Sequence, residues 1–202
     1  MSRLFITAAL ASQLALCGSA WAASLPGEQS PPPQAERPEA PDREAVLNTL
    51  FDKLAHAKSA PEARGIESAI FALWMESDSP SVDLLMGRGV DALQSGEFDR
   101  ALFYFNEVIS LAPDYVEGWD KRAAVYILKD DYASALKDIE RLLKIEPRHF
   151  GAMGALAIIL EDLGDKKGAL DLYRRALKID PWLDGAADAE KALAVDVEGR
   201  GI

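Results

Sequence analysis

The sequence is poor in the residue types that most often bind metal or move protons at neutral pH. It has one cysteine, Cys17, and two histidines, His56 and His149. Cys17 falls within the first 22 residues, which read as an export signal. Arg3 gives a minimal positive start, Leu4 to Leu16 is apolar, and Ala20-Trp21-Ala22 offers small residues where a signal peptidase reads. That apolar run of about 13 residues is too short to cross roughly 30 Å of hydrocarbon. Lipid attachment at Cys17 is the rival reading, but Leu16 is larger than the residue normally cleaved before such a cysteine. Cleavage after Ala22 leaves a mature chain without cysteine, transmembrane segment, disulfide or thiolate metal site. The expected location is the bacterial periplasm.

Positive charge is also scarce. Against 33 Asp and Glu there are 22 Lys and Arg, for a net charge of -11. Nucleic-acid binding draws its affinity from clustered cations that release counterions, so a nucleic-acid partner is not expected, whereas a basic or neutral one is. No His-Glu-x-x-His occurs, and Gly87-Arg88-Gly89 lacks the third glycine and preceding strand of a dinucleotide loop. The adjacent carboxylates Glu161 and Asp162 cannot share one helix face. No cofactor, metal or catalytic constellation is expected. The competing enzymatic reading is an acid/base hydrolase built on His149 with Asp114 or Glu146.

What is present is apolar periodicity and one proline-rich stretch. Residues 23–41 hold Pro31-Pro32-Pro33 and single prolines at 26, 38 and 41, which predicts an extended, solvated linker. Residues 42–79 carry Val46, Leu47, Leu50, Phe51 and Leu54, then Ile66, Ala69, Ile70, Leu73 and Trp74, at helical spacing. This predicts a helical hairpin, with Asp42 capping its first helix and Pro61 in the first turn of its second.

From 80 to 181 one pattern is written three times, with Pro113, Pro147 and Pro181 closing copies spaced 34 residues apart. The units run 82–115, 116–149 and 150–183. Position 4 is Leu85, Trp119 and Met153; position 8 is Gly89, Ala123 and Ala157; position 20 is Ala101, Ala135 and Ala169; position 24 is Phe105, Ile139 and Tyr173. Large residues alternate with small ones, as two helices crossing closely require. Turns are expected near Gly96, Asp130 and Gly164, and helix starts at Asp131 and Asp165. Asp114 with Glu117 suggests a capping box at the second unit.

This pattern resembles the tetratricopeptide repeat (TPR) family, whose 34-residue unit calls for these residue types at these positions. Tyr126 matches position 11 and Ala176 position 27, while Arg88 and Arg122 stand where the family usually has Leu. The resemblance implies an all-α, TPR-type α-solenoid of antiparallel helix pairs. In it, 42–79 would be a degenerate TPR-like hairpin capping the array, and 182–202 a C-terminal capping helix and fraying tail, with Trp182, Leu183, Ala186, Ala189 and Leu193 covering the third unit.

The resemblance also implies a concave groove lined by the first helix of each unit. The corresponding partner-binding residues are Asp83, Met86, Val90 and Leu93 in the first unit. Glu117, Asp120, Ala124 and Ile127 follow in the second, and Gly154, Ile158 and Glu161 in the third. This surface is acidic at its edges and apolar along its floor. The family's basic, Asn-lined carboxylate clamp does not fit, because Met86, Val90 and Gly151 stand in its places and only Lys121 is basic nearby. The expected function is a non-catalytic scaffold or adaptor of the cell envelope that binds an apolar or basic protein segment. Self-assembly into a homo-oligomer through the hairpin is a further alternative.

Overall fold

The computed structural model describes residues 42–199. Among them the ordered elements are nine α-helices, with no strand. α1 (Arg43–Ala55) and α2 (Ala60–Met75) form the hairpin. α3 (Pro80–Gln94) and α4 (Phe98–Leu111) make the first repeat, α5 (Val116–Leu128) and α6 (Tyr132–Ile145) the second, and α7 (Phe150–Asp162) and α8 (Lys166–Ile179) the third. α9 (Ala186–Glu198) closes the array.

The helix boundaries follow from local chemistry. Asp42, Asp131 and Asp165 accept backbone N–H bonds from Glu44, Ser134 and Gly168 at 3.1, 3.1 and 2.9 Å. Ser59 caps α2, with Pro61 in its first turn. Between the paired helices the chain turns through positive φ at one shared register: Gly96 at 72°, Asp130 at 58° and Gly164 at 85°. Asp114 does not cap α5, which lacks a side-chain cap; its carboxylate accepts from Arg141 at 2.9 Å.

Small residues permit the close crossings. Ala101, Ala123, Ala135, Ala157 and Ala169 are buried beside Phe105, Ile139 and Tyr173. Gly89 shows what its larger partner demands: a Cβ there would lie 2.8 and 2.9 Å from Cδ1 and Cζ of the buried Phe105 ring. Neighbouring units join through residues such as Gly118, whose bare backbone lies against Val108 and Ile109 of α4.

The hairpin does not sit on the leading end of the array. Its contacts run along the loops that link successive units. The Tyr115 hydroxyl donates to Met75 O at 2.8 Å, Trp74 and Phe71 meet His149 and Phe150, and Trp182 Nε1 donates to Ala57 O at 2.8 Å. The end-cap expectation is therefore corrected: α1 and α2 form a strap across three loops. The reason lies on α3. Where α5 and α7 turn the buried Val125 and Ile159 toward the preceding unit, α3 carries exposed Asp91 at the same register, with exposed Arg88 one turn before it. Unit 1 thus supplies its own polar end at these positions.

At the other end Ala186 and Leu193 of α9 are buried, and Arg174 of α8 binds Glu190 and Glu198 at 2.8 and 2.6 Å. Trp182 precedes the helix and reaches the strap instead of covering the third unit, and the helix extends through Glu198, into the stretch expected to fray. The expected linker and export signal lie outside the described residues.

Candidate interaction surface

α3, α5 and α7 present the face on which binding residues are expected. Val90, Leu93, Ala124 and Ile127 are half-buried there, and Ile158 is 55% exposed. Asp83 lies exposed at the start of α3, bonded by the Ser77 hydroxyl. Asp120 accepts from Lys121 Nζ at 2.8 Å, and Glu161 accepts from the Tyr173 hydroxyl at 2.9 Å.

Two expected groove residues are corrected. Met86 is core, packed among α3 and α4. Glu117 has no exposed surface: it is buried under the strap, paired with Lys121 at 3.0 Å and facing His149 Nε2 at 3.5 Å. Burial would pull the Lys121 ammonium down, but the carboxylates of Asp120 and Glu117 outweigh it and hold Lys121 charged. Gly151, on the same face of α7, lies against Phe71 of the strap.

His149 is also accounted for by structure. Its Nδ1 accepts the Ala152 N–H at 3.0 Å and so caps α7, which places the remaining proton on Nε2 toward Glu117. The ring is stacked on Trp74 and is 1% exposed. It has neither a free lone pair nor access to a substrate. Asp114 and Glu146 are paired with Arg141 and Arg148.

Of the expected residues only Gly154 and Ile158 line one shared cleft. This cavity, of about 520 Å³, lies between α7, Tyr173 of α8 and the segment Leu183 to Ala186 leading into α9. Gly154 leaves it open: a Cβ there would meet nothing nearer than Leu183 at 3.9 Å. Beside it stands an acidic group that sequence reasoning missed. Asp180 is fully buried, accepts the Trp182 N–H at 2.9 Å through Oδ1, and shares a side-chain hydrogen bond with the Glu67 carboxyl of α2. Glu67 of α2 is pushed up to about 6, by burial first and then by Asp180, with Asp184 adding to the effect and Arg64 opposing it. The available signal for this cluster was weak, since Glu67, Asp180 and Asp184 are far apart in the chain and fit no motif. No group of residues suited to a metal ion occurs among the described residues.

Stacked antiparallel helix pairs with a lined inner face define the α-solenoid class of interaction proteins. The chain belongs to the tetratricopeptide repeat family, which matches residues 82–115 and 121–181. A TPR repeat-containing protein of Rhizobium etli is 34% identical over 154 residues, covering 76% of each chain. The co-chaperone sgt12 of Aspergillus fumigatus is 26% identical over 56% of this chain, which spans only 33% of that relative. In fold, the first TPR of Spaghetti bound to the HSP90 peptide SRMEEVD is similar at a TM-score of 0.55 and 17% identity, over 58% of this chain and 93% of that one.

Proposed function

We propose that this protein is a non-catalytic scaffold or adaptor that holds an apolar or basic segment of another protein against the first helices of its repeats. The observation that carries this reading is the inner face itself, where exposed Ile158 and half-buried Leu93 and Ile127 lie among Asp83, Asp120, Glu161 and Asp162. TPR proteins mediate protein–protein interactions, and the peptide SRMEEVD on the related fold carries more acidic than basic residues. An acidic face calls for the opposite charge in its ligand. The buried, capped state of His149 supports a role without chemistry.

We place the protein in a bacterial periplasm after cleavage at Ala22, on the strength of residues 1–22 alone. Cell fractionation with and without these residues tests this, and retention of full-length protein in the cytoplasm overturns it. For binding, cross-linking in the cell envelope identifies the partner. The double variant Asp120→Lys, Glu161→Lys then loses that partner while keeping its helicity by circular dichroism. Undiminished capture by that variant overturns the assignment of the face.

A further inference from the structure

The cleft beside Gly154 is better specified than the rest of the inner face, because its floor and its rim ask for different chemistry. The floor is apolar: Ile158, Leu183, Ala155 and Ala186 surround a bare stretch of α7 at Gly151 and Gly154. At about 520 Å³ it falls in the size range of ordinary small-ligand sites and has room for a bulky side chain. The rim is anionic. Asp184 stands exposed on the lip, and α2 borders the cleft where Phe71 lies against Gly151, which puts Glu67 one turn away along α2, within the field of Asp184 and Asp180. Behind them Asp180 is wholly buried and hydrogen-bonded to the Glu67 carboxyl. Among the described residues the cation acting on Glu67 is Arg64, on its own helix.

Carboxylates held close together without a bridging cation mark a place where an added cation gains interaction energy. We infer that this cleft takes an extended peptide segment that sets one bulky apolar side chain against Ile158 and Leu183 and an adjacent lysine or arginine against Asp184 and Glu67. The inference rests on the proposed binding function and narrows it to one site and one ligand chemistry. It also makes the strap part of the site, because Glu67 reaches the rim only while α2 is docked along the loops. An arriving cation draws the raised Glu67 carboxyl back toward its ordinary range, so binding releases a proton. Asp180, Asp184 and Arg64 are the charged groups that set this response.

The probe is an acetylated, amidated hexapeptide with a central phenylalanine–arginine pair, titrated into the full-length protein and followed by backbone amide shifts. Expected are shifts at Gly154, Ile158 and Asp184. Affinity falls about tenfold when serine replaces the phenylalanine or glutamate replaces the arginine, the loss of one anchor. Gly154→Leu fills the cleft and removes binding; Ile158→Ala, which adds no bulk, weakens it and guards against a misfolded first variant. In the parent, affinity drops several-fold between about pH 7.5 and pH 5 as Glu67 takes up its proton, and this dependence vanishes in Glu67→Gln. No binding at millimolar peptide, or equal binding of all three peptides, overturns the inference. If Asp120→Lys, Glu161→Lys abolishes binding while Gly154→Leu leaves it intact, the cleft is wrong and the wider face stands. If neither variant changes binding, both fall.

Discussion

The indole of Trp74 lies flat on the imidazole of His149, with ring centroids 4.2 Å apart and planes inclined by 14°. The first belongs to the strap and the second to the loop between the second and third repeats, so one aromatic stack joins the two parts of the fold. Phe71 closes the same cluster edge-on against His149 and Phe150. Trp74→Ala removes a buried indole and should cost about 3–5 kcal/mol if strap and array unfold together. Hydrogen exchange distinguishes the modes: release of the strap alone speeds exchange in α1 and α2 while α3 and α4 stay protected. His149→Asn should keep the α7 cap and lose only packing, and His149→Ala should lose a further ~1 kcal/mol or so.

Arg122 ties two repeats together. Its guanidinium donates to both oxygens of Asp138 at 2.7 Å and to Asn106 of the preceding repeat at 2.6 Å. Asp138 is only 3% exposed, so Arg122→Ala strands a buried carboxylate and should cost about 3–5 kcal/mol in chemical denaturation. Arg122→Leu combined with Asp138→Leu should recover most of that loss, because apolar packing replaces the pair. A double variant as unstable as the single one contradicts this.

Gly89 and Phe105 are sized to each other. Gly89→Ala gains helix propensity but drives a methyl into the Phe105 ring, for a net loss of about 1–2 kcal/mol. Adding Phe105→Ile, the residue type at the matching Ile139 beside Ala123, should turn the substitution neutral or stabilising. Thermal melts of the two single variants and the double variant decide it.

Asp130 adopts φ of 58°, where the equivalent positions carry Gly96 and Gly164. Asp130→Gly relieves left-handed strain at an exposed turn and should raise stability by about 0.5–1 kcal/mol. A lower melting temperature would show that the aspartate makes an interaction worth more than that strain.

Strap docking should respond to pH through Glu67 and Asp180. Both carboxyls are raised by burial, Glu67 to about 6 from an ordinary 4.5. A raised carboxyl contributes its stability fully below the unfolded value and loses it as pH climbs through the folded one. The strap should therefore loosen between about pH 4.5 and pH 6.5, by on the order of 1 kcal/mol after discounting for solvent at the partly exposed Glu67. Glu67→Gln should flatten that part of the profile, read as exchange protection in α1 and α2.

Much of the array was legible because its signals are local and repeated. The prolines at 113, 147 and 181, the small residues at each crossing and the caps at Asp131 and Asp165 act within a few residues of themselves. The inner face was legible only in part. Helical register put Met86 and Glu117 on it, but register does not reveal which neighbour buries a residue. Met86 turned out to be covered by its own repeat, and Glu117 by a helix that begins 57 positions earlier. Neither the capping of α7 by His149 nor its stacking on Trp74 followed from the sequence, because both depend on where the ring points once the strap is docked.

The sequence by itself determined the nine helices of the described residues, their pairing into repeats and the acidic balance of the chain, since periodicity, capping and composition operate on short stretches of chain. Only the tertiary structure decided where the hairpin goes. Its aromatic face could have been buried against any apolar partner, and the choice turned on Asp91 and Arg88 making the leading end polar while the loops at 115, 149 and 182 offered Tyr115, His149 and Trp182. That choice in turn brought Glu67 to Asp180 and gave the cleft beside Gly154 its charged rim.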